Sequence, residues 1–166
     1  MSYTRAKRGQ QPTVKTSGIR KGYKILGLIE YYSGKFFFKG QEERFNSDTY
    51  AKFILEILHK TDTHLILIQD GARYHVSKAM QCFFVQHRDR MTVYQLPAYS
   101  PELNPIEKLW QKVKQYGTNL HYFPTFEAFV GKVNEILPIF ANCSEKVLSL
   151  FGFYTQLENQ IGLEAA

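Results

Sequence analysis

The sequence predicts an α/β domain in which a sheet with one antiparallel edge packs against helices. Short apolar runs bounded by turn residues alternate with segments of helical spacing. Hydrophobic residues make up 44% of the 166 positions, enough for one sizeable core, and the 13 Phe and 11 Tyr argue against disorder. No GxGxxG or Walker sequence occurs, and strict strand–helix alternation is missing, so a doubly wound nucleotide-binding fold is not expected.

A β-hairpin and an amphipathic helix are predicted first. Residues 22–32 form an apolar, β-branched and aromatic run, Ser33-Gly34 makes a turn, and a second run follows at 35–38. The next segment has helical spacing, and Ser47 is placed to cap it. The apolar positions of this helix are Tyr50, Phe53, Ile54, Ile57 and Leu58.

Two further strands and a helix follow. Residues 65–68 are a continuous apolar run that ends just before Asp70, which is typical of a central strand buried on both faces. Residues 91–96 form another strand candidate. Between them, Ser77 is placed to cap a helix. Its apolar face would carry Met80, Phe83, Phe84 and His87.

The carboxyl-terminal part begins with a loop, because three prolines between positions 97 and 105 preclude regular structure. Asn104 then caps a helix with Pro105 at its first position. The apolar stripe of this helix consists of Ile106, Leu109, Trp110 and Val113. Pro138 separates the last two predicted helices, which span residues 126–137 and 146–151.

The positive charge is concentrated at the amino terminus. Residues 1–24 contain seven basic residues and no acid, whereas the remainder contains 14 basic and 15 acidic residues. A basic arm on a near-neutral body suits a domain that meets a polyanion. A solvated basic tail without a ligand is the alternative. We divide the chain into a basic irregular arm at 1–21, a core domain at 22–137 and a helical extension at 138–166.

Neither a membrane span nor a secretory signal is predicted. No stretch approaches the roughly 18–20 apolar residues that cross a bilayer, and no apolar segment follows the basic amino terminus. Cys82 and Cys143 lack metal-ligand spacing, so reduced, buried thiols are expected. These features favour a cytoplasmic protein without a membrane partner.

Two carboxylates stand out. Asp70 follows the most apolar strand, at the end where open α/β sheets place their chemistry. Glu107 is at the third position of the helix capped by Asn104, where the helix dipole favours a negative charge. Each has a purely structural alternative, since Asp70 could begin a turn with Gly71 and Glu107 could complete a capping box.

The two acids lie in two unusual blocks, separated by 36 residues. The first block reads LILIQDGARYH over residues 65–75, and the second reads LPAYSPELNPIEKLW over residues 96–110. A strand Asp followed by a nearby His, and then an LP-x-YSP-x-LNPIE-x-x-W block, resembles the second half of the DDE catalytic domain of mariner-like bacterial insertion-sequence transposases. The similarity extends more weakly over most of residues 1–135.

The resemblance implies an RNase H-like mixed sheet flanked by helices, and cleavage and transfer of DNA strands with Mg²⁺ or Mn²⁺. It makes Asp70 and Glu107 the second and third of three metal-binding acids. The chain departs from the family at Gly71, where Asn is common. No acid precedes Glu30, so the first strand and its Asp are expected to be absent, as in an amino-terminally truncated chain. Glu30 and Glu56 could replace that acid or be ordinary surface charges.

Other residues are candidates around the site. The resemblance places His75 and Asn104 beside it, without a ligand role, and an ordinary structural role is the alternative for His75. Several basic residues are expected to contact DNA phosphates unless they belong to solvated faces. These are Arg5, Lys7, Arg8, Lys15, Lys108, Lys112 and Lys114.

Two functions stay open from the sequence. In the first, the chain is part of a transposase catalytic domain and is inactive alone because the first catalytic Asp is absent. In the second, it is a non-catalytic DNA-binding or self-associating remnant that modulates a full-length transposase. The LNPIE block disfavours a cellular nuclease of the same fold. Expected partners are DNA and either a second copy or a full-length transposase, in the nucleoid of a bacterial cytoplasm.

Overall fold

The computed structural model describes Gly18 and residues 21–151. This part of the chain contains four strands and five α-helices, in the order β1, β2, α1, β3, α2, β4, α3, α4, α5. The predicted α/β class is therefore confirmed. The basic arm, apart from Gly18 and Lys21, and the end of the carboxyl-terminal extension lie outside the described residues.

The predicted hairpin consists of β1 (Lys24–Ile29) and β2 (Phe36–Gln41), which are hydrogen-bonded neighbours. The connecting turn is too short for a parallel crossover. Its ends are tied by the Glu30 amide, which donates to the Lys35 carbonyl at 2.9 Å. Gly34 has φ +69°, and a Cβ there would lie 2.6 Å from the Ser144 carbonyl oxygen, so this turn requires glycine.

Helix α1 (Ser47–Leu58) buries the five apolar positions that its spacing predicted. The predicted cap was wrong by one residue. Asn46 is the N-cap and forms a capping box with Thr49, in which each side chain accepts a hydrogen bond from the other residue's amide. Ser47 instead forms a hydrogen bond with Ser77, and 2.7 Å separates the two hydroxyl oxygens.

Strand β3 (Leu65–Gln69) pairs in parallel with β4 (Met91–Gln95), and Gln69 lies opposite Gln95. The prediction that β3 is buried on both faces was wrong for the described residues. Leu67 and Gln69 are buried, whereas Ile66 and Ile68 are 63% and 62% exposed. The described strands form two separate two-stranded sheets, β1–β2 and β3–β4, rather than one mixed sheet.

Helix α2 (Lys78–Gln86) begins as predicted, because the Ser77 side chain accepts a hydrogen bond from the Met80 amide. The loop after β4 is less irregular than predicted and includes a 3₁₀ turn at Pro101–Leu103. Helix α3 (Ile106–Gly117) follows it.

The predicted break at Pro138 was wrong. Helix α4 spans Phe126–Ala141 with Pro138 inside it. Helix α5 (Ser144–Leu148) and a 3₁₀ turn at Ser149–Phe151 come next. The domain boundary that we placed at Pro138 therefore cuts a continuous helix. Both cysteines are free, but neither is buried as predicted, since Cys82 is exposed and Cys143 is half-buried.

Two compact units make up the described chain. One contains residues 21–23, 28–36 and 108–151, with α4, α5 and most of α3. The other contains residues 24–27 and 37–107, with α1, β3, α2 and β4, and its core includes the fully buried Ile54 and Met80. Both candidate acids, Asp70 and Glu107, belong to this second unit.

Candidate active site

The carboxyl end of the β3–β4 pair positions Asp70. Gln69 is the last residue of β3, and its carbonyl accepts a hydrogen bond of 2.8 Å from the Leu96 amide. Asp70 is therefore the first residue beyond a strand that is fixed on one side by β4. Gly71 follows, and a Cβ there would lie 3.0 Å from the side-chain nitrogen of Gln95. A larger residue at position 71 would require that amide to move.

The carboxylate of Asp70 is held in a defined orientation. Its Oδ1 atom accepts hydrogen bonds from the Ala72 amide at 3.1 Å and from Nδ1 of His75 at 2.7 Å. Among the described residues, every hydrogen bond to this carboxylate falls on Oδ1. The Asp70 side chain is 54% exposed, and its Oδ2 atom accepts no hydrogen bond from the described residues.

His75 is buried between two aromatic rings. Its ring centroid lies 4.2 Å from that of Tyr50 and 4.3 Å from that of Tyr74. Burial lowers the pKa of His75, and the neighbouring Asp70 opposes this effect. The Nε2 atom is buried and has no hydrogen-bond partner among the described residues. A neutral ring with its proton on Nδ1 fits these contacts, because a proton on Nε2 would be an unsatisfied buried donor.

A buried polar contact anchors the same strand end to α1. The Tyr50 hydroxyl donates a hydrogen bond of 2.8 Å to Oε1 of Gln69, and both residues are buried. Burial is the main cause that raises the pKa of Tyr50, so the hydroxyl keeps its proton. This contact was not predicted from the sequence, because Tyr50 fitted the apolar stripe of α1. A polar Gln69 at the end of an apolar strand was the available signal, since a buried amide requires a partner.

Glu107 lies in the first turn of α3, where the partial positive charge of the helix end favours a carboxylate. Its amide donates to the Asn104 carbonyl at 3.1 Å, and the Asn104 side chain accepts from the Ile106 amide at 3.4 Å. The exposed Glu107 side chain makes no hydrogen bond or ion pair to the described residues, so the capping box that was the structural alternative does not form.

The two acids considered as replacements for a third carboxylate are engaged elsewhere. Glu30 accepts a hydrogen bond of 2.6 Å from Ser33 and lies 3.7 Å from Nζ of Lys35. Glu56 pairs with Lys39 at 2.9 Å. Within Gly18 and residues 21–151, no three His, Cys, Asp or Glu side chains form a group that could hold a metal ion.

The cationic candidates fall into two groups. Lys108, Lys112 and Lys114 are exposed on α3. The predicted DNA contacts Arg5, Lys7, Arg8 and Lys15 lie outside the described residues. The structure thus brings His75 to Asp70 and Asn104 to Glu107, whereas a common site for the two acids stays a prediction.

Comparison with known proteins identifies the family. A family model described as DDE superfamily endonuclease matches residues 1–130. The chain belongs to this family. The mixed α/β architecture of the described residues, with small sheets and five α-helices, is consistent with the RNase H-like fold that the resemblance implied.

Two relatives support the assignment of this DDE domain. The chain is 29% identical over 135 residues to the "Insertion element IS630 uncharacterized 39 kDa protein" of Shigella sonnei, a match that covers 78% of this chain and 38% of the relative. It is 29% identical over 87 residues to the "Uncharacterized protein y4pE/y4sA" of Sinorhizobium fredii (strain NBRC 101917 / NGR234), covering 51% of this chain and 61% of the relative. The chain thus spans less than two thirds of either relative.

In the described part of the DDE domain, no helix has the length and apolar character needed to cross a membrane.

Proposed function

We propose that this chain supplies part of the active site of a DNA transposase, which cleaves and joins DNA strands with a divalent cation. The observation that carries the proposal is the Asp70 carboxylate at the end of β3. Its Oδ1 atom is fixed by two donors, Oδ2 accepts no hydrogen bond from the described residues, and the side chain is 54% exposed. An Asp that only terminates a strand would not need a buried histidine to orient it.

The donor chemistry fits a hard cation. Mg²⁺ prefers a few carboxylate oxygens and keeps water or phosphate oxygens as its other ligands. Asp70 and Glu107 are exposed carboxylates of this kind. When bound, the cation supplies Lewis-acid activation of the attacking oxygen and stabilisation of the leaving oxygen.

The protein's own residues have distinct roles in this proposal. Asp70 and Glu107 hold the cation, and the neutral His75 fixes the rotamer of Asp70 through its Nδ1 proton. Glu107 is in the first turn of α3, at the positive end of the helix dipole. Lys108, on the next position of that helix, is exposed and suited to a DNA phosphate.

The shared metal site can be tested with Fe²⁺, which replaces Mg²⁺ at carboxylate sites and, with ascorbate and peroxide, cuts the nearby peptide backbone. We expect two sets of fragments, one near residue 70 and one near residue 107, and both should disappear with excess Mg²⁺. The variants Asp70→Asn and Glu107→Gln should each abolish both sets. Cleavage near only one acid, or cleavage that these variants leave unchanged, would refute a shared site.

Glu56→Gln is the matched control. This acid is engaged by Lys39 and belongs to the same compact unit. Its neutralisation removes the same charge without touching either proposed ligand, so the fragment pattern should be unchanged. Loss of cleavage in this variant would show that general negative charge, and not a site, attracts the ion.

Catalysis by this chain alone is expected to be absent. The family resemblance implies three acids, no acid precedes Glu30 in the sequence, and Glu30 and Glu56 are paired elsewhere. Loss of one of three metal carboxylates commonly lowers the rate by orders of magnitude. Purified chain with Mg²⁺ or Mn²⁺ should therefore fail to nick supercoiled plasmid. Nicking that depends on Asp70 and Glu107 would show that two acids suffice.

The non-catalytic alternative makes a different prediction. A DNA-binding remnant would bind duplex DNA with an affinity that falls steeply with salt, yet would give no localised Fe²⁺ cleavage. Fluorescence anisotropy at several salt concentrations, together with the cleavage map, separates the two functions.

A further inference from the structure

Tyr99 has an unusual combination of exposure and backbone geometry. It is 101% exposed, the highest value among the exposed large hydrophobic residues of the described chain. Its φ is +58°, in the left-handed region that residues other than glycine rarely adopt. It makes no ring contact with another described aromatic residue. The folded chain therefore holds an aromatic ring in water on a strained backbone.

Such strain persists only where the surrounding chain enforces it, and it is concentrated at functional sites. Pro97 and Pro101 flank Tyr99 and restrict the backbone on both sides. Neither burial nor ring packing within the described residues accounts for an aromatic side chain here. A ligand that covers the ring would account for it.

The position of Tyr99 indicates which class of ligand would cover its ring. Its loop begins where the Leu96 amide bonds the Gln69 carbonyl, directly before Asp70. The same loop ends at Asn104, which is bonded to the first turn of α3, where Glu107 lies. Tyr99 is thus on the segment that connects the two proposed metal-binding acids.

We propose that the ring of Tyr99 stacks on an unpaired DNA base beside the phosphate that the two acids act on. This inference rests on the proposed function, since it takes DNA as the substrate. Base–aromatic stacking is favourable and tolerates any base, because every base presents a π face. A base next to a cleaved strand end can leave the duplex and meet such a ring.

The test uses the complete chain and a DNA duplex with a short unpaired 3′ overhang that carries 2-aminopurine at its first unpaired position. Stacking on an aromatic ring quenches 2-aminopurine fluorescence, and a dye at the distant duplex end reports total binding by anisotropy. All measurements are made in EDTA, so that they are independent of the metal site. The wild-type chain should quench the fluorescence.

Two substitutions separate the ring from the backbone. Tyr99→Phe keeps the ring and should preserve quenching. Tyr99→Asn removes the ring, whereas Asn tolerates the left-handed conformation and so keeps the loop geometry. We expect Tyr99→Asn to abolish quenching and to weaken binding to the overhang duplex about tenfold or more, as expected for the loss of one stacked base. Binding to a blunt duplex should change little.

Tyr32→Asn is the matched control, because Tyr32 is 83% exposed and lies in the β1–β2 turn. It should quench and bind like the wild-type chain. Equal quenching by the wild-type chain and Tyr99→Asn would overturn the inference, and so would a wild-type chain that binds the duplex without any quenching. Absence of all DNA binding would overturn the DNA substrate as well. Failure of the Fe²⁺ cleavage map with intact quenching would overturn only the metal site.

Discussion

The buried hydrogen bond from Tyr50 to Gln69 should stabilise the strand end that carries Asp70. Tyr50 is 5% exposed and Gln69 is 6% exposed, and 2.8 Å separates the hydroxyl oxygen from Oε1. Tyr50→Phe removes the donor and keeps the ring that packs on His75. Oε1 of Gln69 then loses its donor in a site closed to water. A buried acceptor without a partner costs about 1–3 kcal/mol, so the free energy of unfolding should fall by that amount.

A second substitution separates this penalty from other effects of the missing hydroxyl. Gln69→Leu removes the acceptor with a side chain of similar size, and it also removes the long contact of 3.5 Å from the Gln69 amide to the His75 carbonyl. In the Gln69→Leu background, Tyr50→Phe no longer leaves an acceptor unsatisfied. It should then cost close to nothing or stabilise the fold, so the coupling energy should be about 1–3 kcal/mol or slightly more.

The assay is urea denaturation followed by far-ultraviolet circular dichroism on the four proteins of this cycle. The Tyr50→Phe midpoint should shift to lower urea with an unchanged slope, which indicates lost stability rather than a changed unfolded state. A loss below about 0.5 kcal/mol, or an equal loss with Gln69 and with Leu at that position, would show that the hydroxyl does not serve this acceptor.

Two further predictions concern stability, and a third concerns aggregation. The pKa of His75 is lowered in the folded chain, so just below the ordinary pKa of 6.5 the unfolded chain binds more protons than the folded chain. The free energy of unfolding should therefore fall as pH drops through this range. In thermal melts, His75→Phe should flatten this dependence of stability on pH. Gly117→Ala places a Cβ 2.0 Å from Cδ1 of Ile136, so the free energy of unfolding should fall by about 1–3 kcal/mol. The double variant Gly117→Ala/Ile136→Val should recover part of this stability. A Gly117→Ala variant with undiminished stability in denaturation would contradict this packing. Replacing the exposed Ile66 and Ile68 by Thr should reduce aggregation, measured by light scattering, without loss of secondary structure. Thr is more polar than Ile and is common in strands. Unchanged aggregation would show that the exposed face of β3 does not cause it.

Local chemistry explains what the sequence determined about this protein. The hairpin followed from two apolar runs around Ser33-Gly34, and the glycine is required by its positive φ. The Ser77 cap was predictable because the first backbone amides of a helix need a side-chain acceptor such as a serine hydroxyl. The family followed from the two blocks that contain Asp70 and Glu107, and the family match over residues 1–130 confirms it.

Tertiary structure decided which residue caps α1 and where α4 ends, because both depend on contacts between residues from different segments. Asn46 rather than Ser47 caps α1, because the Ser47 hydroxyl forms a hydrogen bond with the Ser77 hydroxyl. Pro138 does not end α4, although proline has a low helix propensity. The buried Leu137 and Phe140, on either side of it in the sequence, hold this part of the chain in the helix by packing.

The candidate site shows the same division. Sequence placed Asp70 at a strand end and His75 five residues later, since both depend on spacing along one segment. Only the folded chain showed that His75 is buried between Tyr50 and Tyr74 and donates to one oxygen of Asp70. Residue order specifies which groups can meet, whereas packing between distant segments determines which oxygen of Asp70 accepts the hydrogen bond from His75.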